Sequence, residues 1–152
     1  MTEITMTEHL EQATAVVRED VSVDELPEFF GRALHRAMAA VQAQGHHPTG
    51  PPIALYHGKP HGSVDVEAGF PVEAPITPSE GVTPGRLPGG RVVEATHVGS
   101  YDEMARTYDA VVAWMAERRL TPAEEMWEVY LTDPVTQPDP ATWRTQIFWP
   151  VA

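Results

Sequence analysis

Cysteine is absent, which removes disulfides, thiolate metal sites and thiol nucleophiles together. Basic residues are scarce: Lys and Arg number 10 against 22 Asp and Glu, a formal net charge of −12. No basic stripe of the kind that grips a phosphate backbone is visible. The nearest approach is the pair Arg118-Arg119, at a helix end where cations complement the macrodipole. Direct nucleic-acid binding is therefore not expected. An acidic field suits cationic small molecules or basic partner surfaces, although solubility alone accounts for many acidic chains. No apolar run approaches the roughly 18 residues of a membrane span. Met1 to Glu11 is too polar for a signal peptide, so the cytoplasm is the default location. Gly85 to Gly90 lacks a lysine and a following helix, so no phosphate loop is present and no cofactor is called for.

What is present suits one soluble domain over residues 1–152. The chain is 42% apolar and 21% charged, enough for a sizeable core. After a frayed start, Ala13 to Arg18 reads as a short strand. Asp24 suits a helix cap with Pro27 in the first turn, and Phe30, Leu34, Ala37, Met38 and Val41 keep helical spacing until Gly45. Strands follow at Pro52 to His57 and Val64 to Phe70. A stretch with Pro75, Pro78, Pro84 and Pro88 reads as a connector over 74–89 rather than a folded element. A strand then runs from Arg91 to His97. Ser100 and Glu103 have capping-box spacing, and Met104, Tyr108, Val111, Val112 and Met115 form a helical stripe. Two last strands are expected at Met126–Thr132 and Trp143–Trp149.

This order is strand–helix–strand–strand, twice, with repeats at about 12–73 and 90–152. Leu26 and Met104 occupy matching helix positions, Phe70-Pro71-Val72 matches Trp149-Pro150-Val151, and Tyr56 to Pro60 matches Tyr130 to Pro134. The expected fold is therefore α+β: a duplicated module with pseudo-twofold symmetry and a ligand cleft between the halves. With Tyr56 set on Tyr130, Glu128 falls on Ala54. Strand alternation puts Glu128 on one face with Met126 and Tyr130, opposite Trp127, Val129 and Leu131. Glu is depleted in strands, and the module folds without it in its other half, so a site added to a scaffold is the sharper reading and a solvated Glu the plain one.

His97-Val98-Gly99-Ser100-Tyr101, the Tyr108 to Trp114 helix, Trp127 to Pro134, Trp143-Arg144-Thr145 and Pro150-Val151 together resemble the GyrI-like family. That family is the effector-binding domain found at the C-terminus of AraC-type and MerR-type transcription regulators, and the resemblance covers about residues 12–152. It implies an aromatic-lined small-molecule cleft, and a Glu on the fifth strand that meets cationic or polarised ligands, a position matched by Glu128. Some free-standing members are hydrolases of cyclopropane-bearing natural products. No helix-turn-helix is legible in these residues.

Glu128 leads the candidates, as cation partner or, in an enzyme, as general base assisted by Tyr130. Tyr130, its repeat mate Tyr56, and Tyr101 offer rings with hydroxyl donors, with core packing as the plain alternative for each. Phe148 and Trp149 point to opposite faces, so at most one lines the cleft. His46, His47, His57 and His61 fit no standard metal spacing, so no metal is expected. Two functions stay open: a stand-alone binder that senses or sequesters hydrophobic, often cationic drugs or effectors, and a hydrolase built on Glu128. Inhibitory binding to a protein partner is a weaker third.

Overall fold

A computed structural model describes residues 3–58, 62–132 and 136–151. Eight strands run in chain order: β1 Ile4–His9, β2 Gln12–Ser22, β3 Ile53–His57, β4 Ser63–Pro71, β5 Thr83–Leu87, β6 Gly90–Val98, β7 Glu125–Tyr130 and β8 Arg144–Pro150. They form one curled antiparallel sheet in the order β1-β6-β8-β7-β3-β4-β2-β5. Two helices, α1 Leu26–Ala43 and α2 Met104–Glu117, lie on the same face of it. The protein is thus a mixed α/β fold in which β3 and β7 meet at the centre of the sheet.

Alternation divides the core into layers. On the helix side, Phe29, Ala33, Ala37 and Val41 of α1 pack on Ala15, Val66 and Ala68, while Val111 and Met115 of α2 pack on Val93, Ala95 and Ile147. Val16, Ile53, Leu55, Val92, Trp127 and Phe148 fill the other side. Each fully buried large side chain contributes about 1.5–3 kcal/mol. In β4, a Cβ on Gly69 would lie 1.9 Å from the carbonyl oxygen of Ala15, so only glycine allows β2 to approach this closely.

Several local expectations change. From Ile4 to His9 the N-terminal stretch is not frayed: β1 pairs with β6 as an edge strand, and an edge with one solvated side tolerates the polar Thr5, Thr7 and Glu8. The 74–89 stretch is not a bare connector, because β5 lies within it and pairs with Gln12 to Val16 of β2. Pro84 fits there, since an edge strand has N–H groups with no ladder partner to lose. Asp24 does not cap α1; Val23–Glu25 is a 3-10 turn and no side chain caps the helix, although Pro27 does sit in its first turn. Buried positions of α1 start at Phe29, one residue before the expected stripe, and Phe30, Leu34 and Met38 are only partly covered. Ser100 caps the 3-10 turn Tyr101–Glu103 that precedes α2, accepting from the amide of Asp102 rather than that of Glu103, and no side chain caps α2 itself. Val112 of the second stripe is exposed. The ends of the Tyr56–Pro60 and Tyr130–Pro134 match, and His61, lie outside the described residues.

Candidate functional site

Because β7 alternates, Met126, Glu128 and Tyr130 face the helices at the middle of the sheet. On β3, Tyr56 shares that face; in register, Ala54 stands opposite Glu128 and Tyr56 opposite Met126. On the other flank Ile147 of β8 is opposite Glu128. Tyr108, in the second turn of α2, reaches down from above.

These residues converge on one carboxylate. Tyr108 donates a short hydrogen bond to Glu128 Oε2, and Tyr130 donates to Oε1 at 2.7 Å. The Tyr56 hydroxyl stands 3.5 Å from both Oε1 and the Tyr130 oxygen. Glu128 is only 8% exposed, and among the described residues no Lys or Arg is paired with it. Burial pushes its carboxyl above the ordinary carboxylate range; the bonds from Tyr108, Tyr130 and Tyr56 pull the other way, and burial prevails. The three phenols are themselves pushed up, first by burial and then by the neighbouring carboxylate charge, so they stay protonated donors.

The carboxylate sits at a cavity of about 1010 Å³ between α2 and the sheet. Val112, Met126, Trp149 and the rings of Tyr56 and Tyr108 give it apolar walls, and Asp109, Glu124 and Glu125 add further carboxylates. Trp149 meets Tyr108 edge-on at 6.2 Å and is held by a bond from its indole N–H to the carbonyl of Ala123, 2.9 Å. Nearby, His97 is buried between two partners. Its Nε2 donates to the carbonyl of Ser100 at 2.8 Å, so in the neutral ring Nδ1 accepts from the Thr107 hydroxyl at 2.7 Å.

Chemically, this buried carboxylate is hydrogen-bonded by neutral phenols and, among the described residues, has no Lys or Arg as a counter-ion. A cation about 4 Å away at an effective dielectric near 20 gains about 4 kcal/mol of gross attraction, and aromatic faces add about 0.5–2 kcal/mol. The same carboxylate, with its raised pKa, is also suited to take a proton from water.

Of the residues singled out in the sequence, Glu128, Tyr130, Tyr56 and Trp149 come together here. Phe148 does not: it lies on the far face, stacked on Trp127 with ring centroids 5.4 Å apart. Tyr101 is outside the cavity wall, with its ring 4.9 Å from that of Trp143 and 6.3 Å from that of Tyr130, so it buttresses the site from behind. Tyr108 was hidden in an apolar helical stripe; its signal is a phenol on a core-facing position, where the hydroxyl must find a partner. Among the described residues no three His, Asp or Glu side chains are placed to hold a metal ion, and His57 is bound to Glu67 on the reverse face.

The GyrI-like small molecule binding domain matches residues 2–152. No curated protein matches the sequence. Among solved structures, the EcmrR C-terminal domain is similar at 22% identity and a TM-score of 0.83, covering 100% of this chain and 98% of that one. Within the EcmrR–DNA complex the matching chain is longer, and this chain spans 57% of it. A hydrolase from Listeria innocua is similar at 15% identity and a TM-score of 0.72, over 99% of this chain and 92% of that one. SAV2435, solved bound to tetraphenylphosphonium, is similar at 11% identity and a TM-score of 0.70, over 99% and 94%. At these identities the likeness is one of fold.

Proposed function

We infer the function from one premise: this chain belongs to the GyrI-like small molecule binding domain family. Small-molecule binding is its general role. Within that role we read the protein as a binder of hydrophobic organic cations, sensing or sequestering drugs or effectors in the Glu128 cavity. The observation that carries this reading is a buried carboxylate with three phenols around it and, among the described residues, no Lys or Arg paired with it. Glu128 supplies the charge, Tyr108 and Tyr130 orient it, and Tyr56 and Trp149 offer faces to an aromatic ligand. That SAV2435 was solved with a lipophilic phosphonium supports the ligand class.

We take the architecture as a single domain over 1–152, a duplication of 12–73 and 90–152. Support comes from the strand order, which reads β6-β8-β7 and then β3-β4-β2, and from helices that both follow a 3-10 turn, at Leu26 and Met104. Direct nucleic-acid contact is not part of the proposal. No helix of the described residues is long and apolar enough to cross a membrane; a cytoplasmic location stays part of the reading.

Titration with tetraphenylphosphonium, followed by tryptophan fluorescence, tests this reading. Saturable binding that Glu128→Gln weakens is expected; equal binding by both proteins contradicts it. Hydrolysis is the second reading, favoured by the raised pKa of a carboxylate already bonded to two phenols. The two differ in the mass of the recovered ligand: a binder returns it intact, a hydrolase adds water.

A further inference from the structure

A second cavity, of about 660 Å³, lies on the face of the sheet turned away from the helices. Leu55, Pro75 and Pro84 give it apolar walls, and His57, Glu67 and Glu125 line it with ionisable groups. Register explains the grouping: His57 of β3 stands opposite Glu125 of β7 and Asp65 of β4, and Glu67 stands between Leu55 and Arg18.

The charges here do not cancel. Arg18 is hydrogen-bonded to Asp65, donating through Nε at 2.9 Å and Nη2 at 2.7 Å, and acts on Glu67 and Glu125 only through its more distant charge. Arg86 is ion-paired with Glu11 at 3.3 Å. That leaves Glu67 and Glu125. Glu67 is 8% exposed; its Oε2 is bonded to His57 Nε2, while Oε1 has no hydrogen-bond partner among the described residues. Glu125 has neither a hydrogen bond nor an ion pair among them. Beside Glu67, a Cβ on Gly85 would lie 2.9 Å from Oε1, so the missing side chain keeps the approach to that oxygen open.

A buried carboxylate with one oxygen fixed and the other facing a cavity is costly until something donates to it. We propose that this reverse-face cavity is a second ligand site, for a compact amidinium or guanidinium ion with a small apolar body. An amidinium or guanidinium N–H can donate to the open Oε1 of Glu67 while Glu125, on the same cavity wall, adds a second negative charge, and Leu55 with the prolines covers the body. A bare metal ion fits less well, since no three ligating side chains converge there among the described residues. The site does not depend on the function proposed for Glu128, although His57 and Glu125 border both cavities.

Benzamidine is the probe, used with the full chain in calorimetry and ¹⁵N shift mapping. Saturable binding is expected, with the largest shifts at Gly85, Glu67 and His57. Glu67→Gln should weaken it about tenfold or more, and Glu128→Gln should leave it within about twofold. Should Glu67→Gln fail to fold, as read by near-UV circular dichroism, Glu125→Gln replaces it: that half-buried residue loses no hydrogen bond or ion pair among the described residues, and a severalfold weakening is expected. Absent saturation, shifts centred on Tyr108 and Trp149, or unaltered affinity in a folded Glu67→Gln or Glu125→Gln protein would each overturn the proposal.

Discussion

Ala54 stands directly opposite Glu128 across the β3–β7 pairing and is fully buried. A methyl group on one strand leaves the other strand's carboxylate room to turn toward the phenols. Ala54→Leu should therefore cost about 1–3 kcal/mol in urea unfolding through overpacking, and it should also lower cation affinity by crowding Glu128. Loss of stability with unchanged affinity would separate position 54 from the site.

The phenols should act in order of their distances. A hydrogen bond to a charged group contributes about 1.5–3 kcal/mol. Tyr108→Phe and Tyr130→Phe each remove a close donor, so Glu128 should become harder to ionise and cation affinity near neutral pH should fall about tenfold or more. Tyr56→Phe removes a contact at 3.5 Å and should matter less. Calorimetric titration of the three variants reads this order directly.

Stability should carry a pH signature. The folded-state pKa of Glu128 is raised by burial, so between the ordinary carboxylate pKa and that raised value the folded state holds more protons than the unfolded state. Unfolding free energy must then fall as pH rises through that window. Subtracting the urea stability of Glu128→Gln from that of the wild type, pH by pH, isolates the slope. A flat difference would mean that the acid is solvated.

Of the four tryptophans, Trp149 lines the cavity while Trp127 lies on the far face. Ligand quenching of fluorescence should largely vanish in Trp149→Phe and persist in Trp127→Phe. The reverse pattern would put the ligand on the wrong side of the sheet.

Gly69 is required by the approach of β2. Because its Cβ would sit 1.9 Å from a backbone oxygen, Gly69→Ala has no flexible neighbour to displace and should cost more than about 3 kcal/mol. Loss of soluble folded protein, or a large drop in the urea midpoint, is the expected outcome.

Much of this was legible in the residues. Period-two alternation put Glu128 beside Tyr130 and away from Trp127, because side-chain parity in a strand follows from the backbone alone. The same rule limited Phe148 and Trp149 to one cleft residue, but choosing between them needed the position of the helices. Tyr108 was not legible as a ligand of Glu128, since an apolar stripe says which face of a helix is buried and nothing about what its hydroxyl meets across the core. The edge strands β1 and β5 were missed for a related reason. Their residues are half-solvated: β1 carries only Ile4 and Met6 in alternation with threonines, and β5 carries Pro84 and Gly85, so the signal is short and only pairing with β6 and β2 makes them strands.

The most direct measurement is a ¹³C NMR titration of the Glu128 side-chain carboxyl, free and saturated with tetraphenylphosphonium. The account predicts a midpoint above the ordinary carboxylate range in the free protein, falling when the cation is bound. An ordinary midpoint that the cation leaves unmoved would contradict it.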